Sequence, residues 1–129
     1  MSKEIIVTQK APAPIGPYSQ AVVAGNFLFL SGQIALVPGS DEILTADIQT
    51  ETRRVMENIA GILAASDYSF NDVVKTTIFL TDMSLFAQVN EVYGTYFTGT
   101  YPARETVAVK GLPKNVNVEI SMTAFKNTK

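Results

Sequence analysis

Two stretches of the chain place apolar residues three and four positions apart, which is the spacing of an amphipathic helix. The first stretch predicts a helix over about residues 47–65. The second predicts a helix that is capped by Asp82 or Ser84 and closed by Gly99. Its apolar face consists of five residues at helical spacing: Phe86, Val89, Tyr93, Tyr96 and Phe97. We therefore expect both helices to pack one face against a core.

The other apolar stretches are short, rich in β-branched and aromatic residues and bounded by turn residues, which predicts strands. Two of them flank Gly25-Asn26 and form a predicted hairpin. A stiff loop with three prolines, residues 11–17, precedes this hairpin. The predicted strands are Lys3 to Thr8, Ala21 to Ala24, Phe27 to Leu30, Asp72 to Leu80, Arg104 to Lys110 and Val116 to Phe125.

This order of elements predicts a single domain over residues 1–129, an α+β sandwich with one mixed sheet and both helices on one face. Both parities are apolar or β-branched in two strands, 27–30 and 72–80. A sheet that is apolar on both faces must be covered twice, and two helices cover only one side. We therefore expect the second face to meet another copy of the chain in a symmetric homo-oligomer.

Composition narrows the classes of function. The chain has 10 Lys and Arg against 12 Asp and Glu, and its scattered basic residues disfavour a nucleic-acid partner. It has no Cys and no His, which excludes disulfides, a thiol nucleophile and the commonest metal ligand. No apolar run approaches the roughly 20 residues of a membrane span. The first residues lack a signal-peptide core, so we expect a cytoplasmic protein without membrane association.

One arginine and one carboxylate on the last two strands are the foremost candidates for chemistry. Glu119 has the parity opposite to its apolar neighbours, so we expect it to point away from the helices. Arg104 is expected to leave the core on the same side. Arginine binds carboxylates through paired hydrogen bonds and a glutamate can handle water, so the pair could be a site. From parity alone, a cross-strand salt bridge on a solvated surface is the simpler interpretation.

Three more polar residues could line a pocket, although each also has a plainer structural explanation. Tyr18 follows the proline-rich loop and could be a packing aromatic with a wet tip. Ser31 lies at a strand end, where a turn is the simpler interpretation. Asn90 interrupts the apolar face of the second helix, as an exposed asparagine would. No histidine is available to activate a serine, so a serine-hydrolase triad is rejected.

Six short motifs, taken together and in this order, resemble the Rid family, the reactive intermediate deaminases also called YjgF-type proteins. They are Ile15-Gly16-Pro17-Tyr18-Ser19-Gln20, Ser31-Gly32-Gln33, Val89-Asn90-Glu91-Val92-Tyr93, Pro102-Ala103-Arg104, Leu112-Pro113 and Val118-Glu119-Ile120. The resemblance covers residues 5 to 125 approximately. It implies a chorismate-mutase-like α+β fold, a homotrimer, and ligand sites in the clefts between subunits.

The resemblance also implies an activity that uses no cofactor and no metal. This is the hydrolysis of 2-imino acids, 2-iminobutanoate and 2-iminopropanoate, to 2-keto acids and ammonia. Arg104 would bind the substrate carboxylate, and Glu119 would position or deprotonate the attacking water. The other pocket residues would be Tyr18, Ser31, Asn90 and Thr106. An iminium carbon is already electrophilic, so such an enzyme needs orientation, a water and a proton path.

Two positions depart from the family pattern. Thr106 stands where many members have Cys, and Ser121 stands where many have an acidic residue. A hydroxyl is compatible with imine hydrolysis, because no thiol is needed to attack the substrate. The departures leave the substrate range open.

Two other functions compete with the deaminase. One is a trimeric metabolite-binding or regulatory protein that uses the same cleft without turnover. The other is a pericyclic enzyme of the chorismate-mutase type, suggested by fold analogy alone. A dianionic substrate would require more cations than Arg104, the one that the motifs supply.

Overall fold

The computed structural model describes residues 3–127, which form one six-stranded sheet with two α-helices against one of its faces. The strands are β1 (Glu4–Ile6), β2 (Ala21–Ala24), β3 (Phe27–Leu30), β4 (Val73–Leu80), β5 (Ala103–Ala108) and β6 (Val118–Phe125). The helices are α1 (Ile48–Ala65) and α2 (Phe86–Gly94). The strand order is β1-β2-β3-β6-β4-β5, and all neighbours are antiparallel except the parallel pair β4 and β5. The predicted α+β sandwich with a mixed sheet is confirmed.

Helix α1 matches its predicted range of 47–65 because its start is fixed by a capping side chain. The Asp47 carboxylate accepts a hydrogen bond from the Thr50 backbone N–H at 2.8 Å and another from the Thr50 hydroxyl. The backbone bond is the main reason that the pKa of Asp47 lies below its ordinary value. The apolar face packs on the sheet through five buried residues: Val55, Met56, Ile59, Ile62 and Leu63. No helix among residues 3–127 is long and apolar enough to cross a membrane.

Helix α2 is shorter than predicted, because it ends at Gly94 and not near Gly99. The Thr95 N–H and hydroxyl both bond back to the Val92 carbonyl, at 3.1 and 2.6 Å, which tightens the chain into successive turns. Phe97 nevertheless stays buried, with its ring centroid 4.9 Å from that of Tyr93. The aromatic residues in these turns therefore continue the apolar spacing that is expected of a longer helix. At the other end, Asp82 caps a 3₁₀ turn (Met83–Leu85) that leads into α2.

A β-bulge in β4 changes which of its residues face the helices. Val73 pairs with Ala124 and Lys75 pairs with Thr123, so Val74 is the additional residue and is exposed. The alternation expected through 72–80 is therefore broken near its start. Strands β1 and β6 are a few residues shorter than predicted, and β5 begins one residue earlier and ends two residues earlier than predicted.

The two faces of the sheet differ in cover. One parity of β3, β4 and β6 is buried beneath the helices, including Leu28, Ile78 and Ile120, each with none of its surface exposed. Among residues 3–127 no helix covers the other face, and Phe27 and Phe29 are 41% and 47% exposed there. That face also carries polar groups, including a Lys75–Glu105 ion pair at 3.7 Å. The second face of the sheet is therefore only partly apolar, in contrast to the expectation from the sequence.

Candidate active site

Glu119 lies in the wall of a cavity of about 370 Å³ on the face of the sheet away from the helices. In the sheet, Glu119 of β6 pairs with Phe79 of β4, whereas its neighbours Val118 and Ile120 are buried in the core. The predicted direction of the Glu119 side chain is confirmed. Six residues around the carboxylate define the cavity for the argument below: Tyr18, Ser31, Gly32, Ile34, Leu36 and Pro113.

The Glu119 carboxylate is half-buried and unpaired. Within residues 3–127 it makes no hydrogen bond or ion pair, and no other charged side chain lines its cavity. Burial raises its pKa above the ordinary value of a glutamate, because the charged form loses hydration. A carboxylate with a raised pKa accepts a proton from water more readily than an ordinary carboxylate does, and it can return that proton in a later step.

Gly32 allows the Glu119 carboxylate to lie directly beside the backbone. A Cβ built on Gly32 would lie 2.8 Å from Cδ of Glu119 and would overlap Oε2. The Gly32 N–H makes no hydrogen bond within the described part of the chain. In the sequence, Gly32 only follows Ser31 at a strand end, and nothing local to the motif indicated this close approach.

Tyr18 and Ser31 both border the cavity. The Tyr18 hydroxyl accepts from the Ile15 N–H at 3.2 Å, which leaves its own proton available to donate. The Ser31 hydroxyl donates to the Ser19 carbonyl at 2.6 Å, which leaves its lone pairs available to accept. The two hydroxyls therefore offer opposite hydrogen-bonding roles.

Gln20 is buried and holds the proline-rich loop over this cavity. This structural role was not predicted from the sequence. The Gln20 Nε2 donates to the carbonyls of Thr8, Ala11 and Pro12 at 2.9–3.2 Å. Its Oε1 accepts from the Thr8 N–H at 2.7 Å. These bonds satisfy backbone groups of a loop that has no sheet partner. The loop wall is therefore fixed by one side chain.

Arg104 lies on the opposite face of the sheet from Glu119, so the expectation that both leave the core on the same side is wrong. The parallel register of β4 and β5 places Arg104 beside Thr76, whereas Glu119 pairs with Phe79. Residues three apart in a strand point to opposite faces. Thr76 is buried and receives a hydrogen bond from the Tyr93 hydroxyl of α2 at 3.0 Å, which identifies its face as the helix side. A salt bridge between Arg104 and Glu119 is thereby excluded within one chain.

Side chains of α2 hold the Arg104 guanidinium at the edge of the sheet. Its Nη1 donates to Asn90 Oδ1 at 2.7 Å. Its Cζ lies 5.5 Å from the ring centroid of Phe86 and 5.2 Å from that of Tyr93. No carboxylate pairs with it within residues 3–127, and it opens onto a cavity of about 330 Å³ that Tyr101 also lines. Asn90 is therefore not a bare exposed helix residue but a partner of Arg104.

Thr106 follows Arg104 on the same face of β5, since it pairs with Ile78. Its hydroxyl oxygen is buried and has no hydrogen-bond partner among the described residues. A buried hydroxyl without a partner is uncommon in folded proteins. Thr106 does not line the Arg104 cavity in the single chain. The structure thus brings Arg104, Asn90 and Thr106 to one face, apart from Tyr18, Ser31 and Glu119.

The site therefore consists of two halves within one chain. We call the Glu119 cavity with Tyr18, Ser31 and Gly32 the carboxylate half-site, and Arg104 with Asn90 the guanidinium half-site. The first can move a proton and the second can bind an anion. Among residues 3–127, no group of three His, Cys, Asp or Glu side chains could hold a metal ion.

Comparison with known proteins gives a consistent result. The model of the family described as Endoribonuclease L-PSP matches residues 8–126. A RutC family protein of Pyrococcus horikoshii is 55% identical over 96% of this chain and 98% of its own length. The 2-iminobutanoate/2-iminopropanoate deaminase of Mus musculus is 44% identical over 96% of this chain and 92% of its own.

The fold agrees with solved structures as well. The crystal structure of E. coli TdcF with bound serine superposes with a TM-score of 0.92, at 44% identity, over 96% of this chain and 99% of the other. The similarity to these proteins extends along almost the whole chain, and so it includes the motifs around Arg104 and Glu119. The chain belongs to the Endoribonuclease L-PSP family, which is the Rid or YjgF family that its motifs resemble.

Proposed function

We propose that this protein hydrolyses 2-imino acids, 2-iminobutanoate and 2-iminopropanoate, to 2-keto acids and ammonia. The observation that carries the proposal is a pair of charges that find no counter-charge among residues 3–127: Arg104 has no carboxylate partner there, and the half-buried Glu119 has no cation. Each charged group is therefore available to bind a group of a ligand or of a second protomer. The name of the mouse relative, 44% identical, supports the same reaction.

A second copy of the chain completes the proposed site. Arg104 and Glu119 lie on opposite faces of one sheet, so one chain cannot direct both at a small ligand. The uncovered sheet face, with Phe27 and Phe29 exposed, favours self-association. In the proposed homotrimer, the guanidinium half-site of one protomer faces the carboxylate half-site of its neighbour.

The reaction follows from these groups. Arg104 binds the substrate carboxylate, and its bond to Asn90 orients the guanidinium. Glu119 takes a proton from a water as the water oxygen forms a bond to the imine carbon, and Glu119 passes this proton to the imine nitrogen, which gives an amino alcohol. Glu119 then takes the hydroxyl proton and passes it to the amine nitrogen, so the C–N bond breaks, ammonia leaves, the hydroxyl oxygen becomes the carbonyl and the Glu119 carboxylate is restored. Imine and water give keto acid and ammonia, so atoms and charge balance.

A coupled assay tests this proposal. Threonine dehydratase generates the imine, and the rate of 2-ketobutyrate appearance is followed with and without the protein. We expect acceleration by the parent and by Arg53→Ala, which removes an exposed arginine on α1, and none by Arg104→Ala. No acceleration by the parent, or equal activity of Arg104→Ala, overturns the proposal.

A non-catalytic metabolite-binding role is the second candidate, favoured by one comparison. The TdcF neighbour is described with serine bound, and serine carries a carboxylate without being an imine. Calorimetry with serine and 2-ketobutyrate tests this role. Binding that is lost in Arg104→Ala, together with no imine turnover by the parent, would select it.

A further inference from the structure

Helix α1 carries two polar side chains that are completely buried although neither belongs to the two half-sites. Glu51 and Asn58 are each 0% exposed. They lie seven residues apart, which is two helical turns, and therefore share one face of the helix. Burying a carboxylate and an amide costs free energy unless hydrogen bonds replace hydration. Their bonds run to the backbone segments that form the carboxylate half-site.

Glu51 holds the start of β6, two residues before Glu119. Its Oε2 accepts from the backbone N–H groups of Asn117 and Val118 at 2.7 and 3.2 Å. Its Oε1 accepts from Asn117 Nδ2 at 2.8 Å. All three partners are donors, so the carboxylate fixes two consecutive peptide groups and one side chain.

Asn58 holds the opposite wall of the same cavity. Its Nδ2 donates to the carbonyls of Ile34 and Leu36 at 3.0 and 2.9 Å, and both residues line the Glu119 cavity. Its Oδ1 accepts from Arg54 Nε and Nη2, which orients the amide. One helix face thus holds the segment before Glu119 and the segment opposite it.

The Glu119 side chain itself makes no hydrogen bond within the described residues, so backbone contacts must set its position. On one side, Ile120 is held by reciprocal backbone bonds with Gln33 at 2.8 and 3.1 Å. On the other side, the backbone is held by Glu51. We propose that Glu51 and Asn58 are positioning residues for Glu119, a role that rests on the proposed imine hydrolysis.

The test compares four variants by steady-state imine hydrolysis, at a temperature well below the Tm of each. Glu51→Leu removes the acceptor at similar volume, and we expect kcat to fall about tenfold to a hundredfold, because a small misplacement of a reacting group slows the step. KM should change less than about threefold, because Arg104 binds the carboxylate. Asn58→Leu should act in the same direction.

Two variants serve as controls. Glu51→Gln keeps a carbonyl for the two N–H groups, and Asn117 can rotate its amide to meet the new NH₂, so kcat should stay within about threefold of the parent. Thr52→Val is the matched stability control: Thr52 is also 0% exposed, but its hydroxyl bonds to Ile48 O inside the helix. Its kcat should equal that of the parent. An unchanged kcat in Glu51→Leu, no rescue by Gln, or an equal loss in Thr52→Val overturns the inference.

A measurement without turnover separates this inference from the proposed function. The ¹³C resonance of a labelled Glu119 carboxyl is titrated in parent, Glu51→Leu, Glu51→Gln and Thr52→Val. We expect an altered titration midpoint in Glu51→Leu alone. If the parent fails to hydrolyse imines but this pattern appears, the positioning role stands and the proposed function falls. If the parent is active and the midpoint is unchanged in Glu51→Leu, the positioning role falls.

Discussion

The two half-sites hold their charged groups in different ways. Arg104 projects from a regular strand and is fixed by side chains of α2, through a 2.7 Å bond to Asn90 and two aromatic rings. Glu119 has no such side-chain partner in residues 3–127, and its surroundings are loops and the end of a strand.

This contrast suits the two proposed tasks. An anion clamp must keep one geometry and one charge, which direct hydrogen bonds and stacking provide. A proton carrier must change its charge in each cycle, so a direct bond to a cation would hold it ionised. An enclosing backbone fixes the position of Glu119 without fixing its protonation state. Substitutions should therefore affect catalysis on one side and binding on the other.

The largest expected effect comes from Glu119→Gln, which keeps the shape but removes the proton carrier. We expect kcat for imine hydrolysis to fall by about a hundredfold to ten-thousandfold. Carboxylate binding, measured by calorimetry with 2-ketobutyrate, should stay within about threefold because the guanidinium half-site is untouched. Equal losses in kcat and in affinity would contradict the division between the two halves.

A smaller effect should follow from Gly32→Ala, which tests whether close approach of the backbone positions Glu119. The new Cβ would overlap the carboxylate, and the flexible side chain can move away with little cost in stability. We expect kcat to fall about tenfold to a hundredfold, because the carboxylate is displaced.

Gly99→Ala is the matched control, since a Cβ there meets nothing within 4 Å. Its kcat and Tm should equal those of the parent. A parent-like kcat in Gly32→Ala would show that the position of the carboxylate is not critical.

Patterns within single elements predicted much of the fold. The apolar periodicity of α1 predicted its bounds, and the alternation in β6 predicted the direction of Glu119. Both features depend on local sequence, where the helical and strand periods are directly visible. The end of α2 was placed too late, because Tyr96 and Phe97 continue the apolar spacing in turns.

The arrangement of the site could not be predicted in the same way. The face of Arg104 depends on the register of β5 against β4, a pairing between distant segments, and parity within β5 does not determine it. The roles of Glu51 and Gln20 depend on loops brought together by the fold, so each appears in the sequence as an ordinary polar residue. The motif resemblance supplied the candidate site residues, while their separation onto two faces depends on strand register and was not predicted.

A moderate effect is expected for Asn90→Ala in the guanidinium half-site. Loss of the bond to Arg104 leaves the guanidinium less ordered but still charged and in contact with Phe86 and Tyr93. We expect carboxylate affinity to fall about tenfold, equivalent to about 1.4 kcal/mol. The kcat at saturating imine should change less than affinity. A loss confined to kcat would assign Asn90 to the chemical step. It would contradict the division in which the guanidinium half-site binds and the carboxylate half-site catalyses.

The smallest expected effect is a pH-dependent gain in stability in Glu119→Gln. Burial raises the pKa of Glu119 in the folded chain above the value of about 4.3 expected for an unfolded glutamate. As the pH rises, the unfolded chain releases this proton first, so the parent loses stability until the folded carboxyl has also ionised. Glutamine carries no such penalty. The Tm of Glu119→Gln minus that of the parent, followed by circular dichroism at constant protein concentration, should therefore increase as the pH rises from about 4 through the pKa of the folded carboxyl. A difference in Tm that stays constant over this range would mean that the Glu119 carboxylate is as well solvated in the folded chain as in the unfolded one. Burial would then not raise the pKa of Glu119, and the cavity would not favour its use as a proton carrier.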